Sequence, residues 1–223
     1  MTQSKKPSNA DKPSLLEGWN TAANLVTYSR IILVVVFIAL TVLAGSQGRD
    51  DLTLRWIAAV LFIIAASTDK VDGWLARRNN EVTELGKLMD PIADKLLMCS
   101  ALIIFAVFGE YPFAWVIAVL FLIREIGITV MRFFIMERPG GKVIAAAWPG
   151  KLKTVFQSIS LSMYMVPIWS LGRVDGGAGI LPNACVSAYY WLAYVLLFVA
   201  LALCLYSGYV YLRNTFSGSK SSH

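Results

Sequence analysis

Six apolar blocks divide the chain: Leu25–Ala44, Leu54–Ser67, Leu96–Phe108, Phe113–Ile123 with Ile126–Met136, Leu152–Leu171 and Ala184–Leu212. Several approach the roughly 20 residues that a helix needs to cross the hydrocarbon of a bilayer. A water-soluble domain of 223 residues tolerates such a pattern poorly, with 57% of the residues hydrophobic and only 15% charged. The expectation is an all-α integral membrane protein with six transmembrane helices. The second and third blocks are short unless their helices run on through the polar stretch between them, residues 69–95. That stretch therefore belongs at or just inside one membrane interface.

Residues 1–18 are polar, carry Lys5, Lys6 and Lys12 with Pro7 and Pro13, and lack the apolar core of a secretory signal. They read as a tail, 19–215 as the membrane domain, and 216–223 as a second tail. Cys99, Cys185 and Cys204 are scattered through apolar runs, which suits neither a disulfide framework nor a zinc site. The one histidine, His223, ends the chain and offers no basis for histidine catalysis. With six spans and both termini on one side, only Arg49, Arg55 and Arg173 of the 20 basic residues fall on the other side. This bias predicts that the termini and residues 69–95 face the cytoplasm, with the active-site cavity open to that face. Lys5, Lys6, Lys12 and Lys220 fit a topological or lipid-binding role.

Within 69–95 the spacing is Asp69, Asp72-Gly73, Ala76-Arg77, Gly86, Asp90 and Asp94. On helices, Asp69 and Asp72 are i, i+3 neighbours and Asp90 and Asp94 are i, i+4 neighbours, so each pair projects from one face. Residues 78–86 suit a short connection that folds the third helix back on the second and brings the two acidic faces together. Carboxylates near lipid are costly, and Arg77 and Lys95 offset only part of the charge. An oxygen-only set with no nearby His or Cys favours hard divalent ions, Mg²⁺ or Mn²⁺, and four carboxylates suffice for two of them, an arrangement suited to phosphoryl transfer. Gly73 and Ala76, one turn apart, suit helix packing and close ligand approach equally well on spacing alone; beside the aspartates, a metal-bound diphosphate favours the ligand. Pro91 also fits a first helical turn capped by Asp90.

The eight fixed residues of this pattern resemble the signature of the CDP-alcohol phosphotransferase family. The likeness extends to Asn24-Leu25-Val26-Thr27-Tyr28-Ser29-Arg30 in the first block, to REIGITVMRFF at 124–134 and to GKLKTVFQ at 150–157. Only the tails and the loop around 172–183 fall outside it. The resemblance implies that an acceptor hydroxyl attacks the diphosphate of CDP-diacylglycerol, forming a phosphodiester and releasing CMP. It implies that Asp69, Asp72, Asp90 and Asp94 hold two Mg²⁺ or Mn²⁺ ions and that Asp94 also takes the acceptor's proton. It further implies that Asp72, Gly73, Ala76 and Arg77 meet the CDP moiety, with Asn24, Thr27, Arg30 and Thr83 as further contacts. A homodimer in a bacterial-type plasma membrane, in contact with membrane lipids, is the implied assembly, and no nucleic-acid partner is expected.

The last two segments are most like the branch whose acceptor is sn-glycerol 3-phosphate. Its phosphate demands fixed cationic donors, for which Arg124, Arg132, Lys151 and Lys153 are the candidates. Arg124 has neighbouring Glu125 as an alternative partner, and Lys151 and Lys153 have snorkelling to the interface. The competing acceptors are phosphatidylglycerol, giving cardiolipin, and inositol phosphate; serine fits the basic residues less well. Outside the family, a divalent-cation transporter would show matched interrupted helices, which the two halves of the chain lack. A purely structural scaffold leaves the acidic cluster unexplained.

Overall fold

The computed structural model describes residues 22–79, 84–136, 148–172 and 180–218, with side chains described over 28–67, 95–131, 148–172 and 180–214. These residues form α1 (Ala22–Ala44), α2 (Leu52–Asn79), α3 (Glu84–Phe108), α4 (Ala114–Met136), α5 (Trp148–Met165) and α6 (Asn183–Gly218). Two 3-10 turns, Ser46–Gly48 and Ile168–Leu171, and a single parallel bridge between Gly172 and Leu181 complete the regular structure among the described residues.

Each apolar block is centred on one helix. α2 and α3 run on through the polar stretch, so that Asp69 and Asp72 lie on the first and Asp90 and Asp94 on the second. α4 continues unbroken through Arg124 and Glu125, which split its apolar block in sequence. Several boundaries differ from expectation: α2 and α3 take up 78–79 and 84–86 of the expected 78–86 connection, and α3 begins at Glu84, a turn and more ahead of Asp90 and Pro91, which therefore do not open the helix. The block Leu152–Leu171 does not form one helix, because α5 ends at Met165 and a 3-10 turn follows. Pro167 has no N–H to continue the ladder and disfavours helical backbone in the residue before it. In addition, Arg55 donates to the carbonyls of Tyr164 and Met165, at 3.0 Å each, which serves the end of α5. α6 runs on to Gly218, inside the stretch expected as a tail.

Among the described residues, two helices are long and apolar enough by themselves to cross a membrane, over Ala114–Met131 and Asn183–Asn214. Shorter apolar helical segments lie at Tyr28–Ala44, Leu52–Ser67 and Lys95–Phe108. Large apolar side chains such as Ile32, Val35, Trp115, Ile123 and Phe198 point outward, and an apolar surface recurring on several helices is that of a membrane protein. Inside, small residues at Ala58, Ala59, Ala101, Ala118, Ala193 and Ala200 let the helices approach closely around Phe37, Phe62, Phe105 and Phe121. α5 packs most extensively on α6, where Ser160 Oγ donates to the Ala193 carbonyl at 2.7 Å and Tyr189 to that of Met163 at 3.1 Å. α1 packs on α2 and α3, and α3 on α4.

The end of the bundle remote from the aspartates is tied by a buried ion pair. The turn after α1 passes through positive φ at Gly45, Gln47 and Gly48. Gly48 is required there for a second reason, since a Cβ would stand 2.6 Å from the Arg55 Cβ. Asp51 caps α2 by accepting from the amides of Thr53 at 2.8 Å and Leu54 at 3.0 Å. One turn later Arg55 meets Glu110, from the α3–α4 connection, at 2.6 Å, with both side chains 1% exposed. Glu110 also accepts from the Gln47 amide at 3.1 Å, and the guanidinium stacks 5.4 Å from the centre of the Phe105 ring.

Candidate functional site

The helix periodicity that pairs the aspartates in sequence holds in the backbone. Asp69 and Asp72 fall on helical residues of α2, Asp90 and Asp94 on helical residues of α3, and the two helices are in contact. Gly73, Ala76 and Arg77 lie on the same final turns of α2, Asn24 and Thr27 at the start of α1, and Arg132 near the end of α4. The side chains of all these residues lie outside the described part of the structure, and so does Thr83 altogether. Arg30, one of the expected CDP contacts, is buried on α1.

The described part of the site is a cation cluster built on α3, α4, α5 and α6. Arg124 projects from the middle of α4. Its Nη1 donates to Glu125 Oε1 at 3.0 Å and its Nη2 to Ser207 Oγ on α6 at 2.6 Å. Ser207 in turn donates to the Cys204 carbonyl at 3.0 Å, which fixes its hydroxyl. The neighbouring Gly208 faces the Arg124 stem, where a Cβ would make an ordinary contact at 3.4 Å from Cγ. From the first turns of α5, the Lys153 ammonium donates to the same Glu125 Oε1. Its side chain is 4% exposed, and the Nζ lies 6.0 Å from the centre of the Phe121 ring. From α3, Lys95 Nζ donates to the Glu125 carbonyl at 3.4 Å.

This arrangement separates three of the four expected acceptor cations, the side chain of Arg132 lying outside the described part. Arg124 and Lys153 converge on one carboxylate oxygen, whereas Lys151 is exposed. Two residues apart on a helix, Lys151 and Lys153 face different directions, and only the second reaches inward. The alternative partner for Arg124, Glu125, is real, and it ties Arg124 to Lys153. Glu125, Ser207, Gly208 and Lys95 were not among the expected acceptor residues. Their signals were faint: a glutamate next to an arginine, a Ser-Gly pair inside a long apolar run, and a lysine directly after Asp94.

Among the described residues, Arg124 and Lys153 share the single carboxylate of Glu125, which leaves this pair of cations one positive charge in excess. A phosphate monoester, at about −1.5 to −2 at pH 7, is an anion that such a pair of cations attracts. Lys95 follows Asp94 directly, which puts the cluster next to the aspartate-bearing part of α3. The candidate site thus has an acidic half on α2 and α3 and a basic half on α3 to α6.

The family described as CDP-alcohol phosphatidyltransferase matches residues 20–206. A protein of Mycobacterium tuberculosis named as a probable phosphatidylglycerophosphate synthase is 38% identical over 146 residues, 66% of this chain and 66% of that protein. A CDP-diacylglycerol–glycerol-3-phosphate 3-phosphatidyltransferase of Bacillus subtilis is 39% identical over 149 residues, 64% of this chain and 75% of the relative. A protein of the same name from Shigella flexneri serotype 5b is 34% identical over 193 residues, 84% of this chain and 91% of the relative.

Proposed function

This chain belongs to the CDP-alcohol phosphatidyltransferase family, and from that premise we propose that it transfers the phosphatidyl group of CDP-diacylglycerol to sn-glycerol 3-phosphate. The relatives named for glycerol 3-phosphate favour that acceptor, and the observation that carries a phosphorylated acceptor is the convergence of Arg124 and Lys153 beside the lysine that follows Asp94. A phosphorylated acceptor places its phosphate on these cations, and its free hydroxyl is then held toward the aspartates. The hydroxyl oxygen attacks the lipid-side phosphorus of the diphosphate, the bond from that phosphorus to CMP breaks, and the hydroxyl proton passes to Asp94. Positioning of the two substrates supplies much of the rate.

Members of the family are generally divalent-metal dependent. Asp69, Asp72, Asp90 and Asp94 are the residues to hold two Mg²⁺ or Mn²⁺ ions, since both pairs fall on contacting helices at spacings that present oxygen donors from one face. Bound there, the ions would neutralise charge on the diphosphate and on departing CMP. Arg77 and Arg30 serve the CDP moiety with Gly73, Ala76, Asn24, Thr27 and Thr83, and Arg132 adds to the basic half. The same reading gives six membrane spans, puts both termini and the site on the cytoplasmic face of a plasma membrane, and pairs the chain as a homodimer.

The test offers purified protein CDP-diacylglycerol and Mg²⁺ with glycerol 3-phosphate, phosphatidylglycerol, inositol phosphate or serine in turn, and measures CMP. Release is expected with glycerol 3-phosphate. No release with any acceptor rejects the enzyme reading, and release with another acceptor alone rejects this one. Arg124→Met and Lys153→Met are each expected to raise KM for glycerol 3-phosphate about 10- to 150-fold, from the roughly 1.5–3 kcal/mol of a charge-assisted hydrogen bond. Lys151→Met should shift KM far less, and a shift as large as that of Lys153→Met would put Lys151 back in the site.

A further inference from the structure

A pocket for an anion gains nothing from a carboxylate of its own at its centre, yet Glu125 occupies that place. Its Oε1 accepts from both Arg124 Nη1 and the Lys153 ammonium, so two cations from two helices converge on a single oxygen. This is the way such cations converge on a phosphate oxygen. Both have holds that do not involve Glu125. Arg124 is fixed by Ser207 at 2.6 Å, while the Lys153 ammonium lies over the Phe121 ring. Arg124 Nε is buried with no hydrogen-bond partner among the described residues, so the guanidinium still has a donor to give. The cations would therefore keep their places if the carboxylate swung away.

We propose that the Glu125 carboxylate is a placeholder for the acceptor's phosphate, occupying the point on which Arg124 and Lys153 converge in the resting site and giving way when the phosphate arrives. This deepens the functional reading above and rests on it. The carboxylate then raises the affinity that any anion needs in order to enter the cluster. An anion gains the cluster only by displacing a tethered negative charge, which a substrate phosphate with further contacts through its glycerol can do and free inorganic phosphate does poorly.

The experiment measures CMP release by the full chain, with glycerol 3-phosphate varied and inorganic phosphate as competitor. Glu125→Gln keeps the shape and removes the charge. It is expected to strengthen inhibition by inorganic phosphate on the order of tenfold and to lower KM for glycerol 3-phosphate, as removal of one close, partly screened repulsion requires. Glu125→Asp keeps the charge, and so the balance of the cluster, but draws it back from Lys153 by one methylene; it should shift both constants the same way by less. A raised KM or unchanged phosphate inhibition in these variants overturns the inference and leaves Glu125 as a tether that only organises the cations. Failure of the parent reading is seen elsewhere, in a wild-type chain that releases no CMP with glycerol 3-phosphate or in Arg124 and Lys153 variants with unaltered KM.

Discussion

Asp94→Asn is expected to abolish CMP release, with kcat lowered by at least about 10³-fold, while the protein stays folded. The amide is close in shape to the carboxylate but cannot take a proton, and loss of a general base alone costs typically 10²–10⁴-fold. The same change removes one negative charge from the donor set proposed for the divalent ions, and this adds to the loss. Folding should survive because the part of α3 that anchors the bundle lies further on, at Leu97, Ala101, Leu102 and Phe105, all buried. The check is CMP release beside thermal unfolding of the same preparation. EDTA is expected to stop the wild-type protein and added Mg²⁺ to restore it, whereas Mg²⁺ should not revive Asp94→Asn. Activity retained by the variant would remove Asp94 from the chemistry and leave the acidic pairs without a base.

The parts of this fold that were legible beforehand are those written as periodicity. Apolar blocks of bilayer length fix six helices, and the need for the second and third to reach that length predicts that they run through the polar stretch, as α2 and α3 do. The i, i+3 and i, i+4 aspartates follow from the same periodicity. Contacts between residues distant in sequence carry no such signal. Nothing local says that Ser207 receives Arg124, that Lys153 reaches Glu125, or that Arg55 meets Glu110, because each depends on how whole helices pack. Lys151 and Lys153 are an intermediate case. Their spacing already sets them on different faces, but the face that looks inward emerges only once α5 lies against its neighbours. The end of α5 is similar, since Pro167 is a visible stop signal that a long apolar run conceals.

Arg55→Met is expected to be the most destabilising single change in the described part of the chain. It leaves Glu110 buried with the Gln47 amide as its one remaining partner among those described, and removing one member of a buried ion pair costs roughly 3–5 kcal/mol. The carbonyls of Tyr164 and Met165 lose their donor as well. Against a total stability of about 5–15 kcal/mol this is a large share, so the unfolding midpoint in detergent should fall on the order of 10 °C. Glu110→Gln should cost less, because Arg55 keeps two carbonyl acceptors and the amide oxygen can still accept from it. The double variant Arg55→Met with Glu110→Leu should recover much of the loss, since apolar residues can replace a buried pair at little net cost. That recovery is the informative result, because it separates the penalty of a stranded charge from any intrinsic need for the pair. A double variant as unstable as Arg55→Met would instead assign the loss to the end of α5. The guanidinium's bonds to Tyr164 and Met165 would then be what joins α2, which carries Asp69 and Asp72 at its far end, to α5, which carries Lys153.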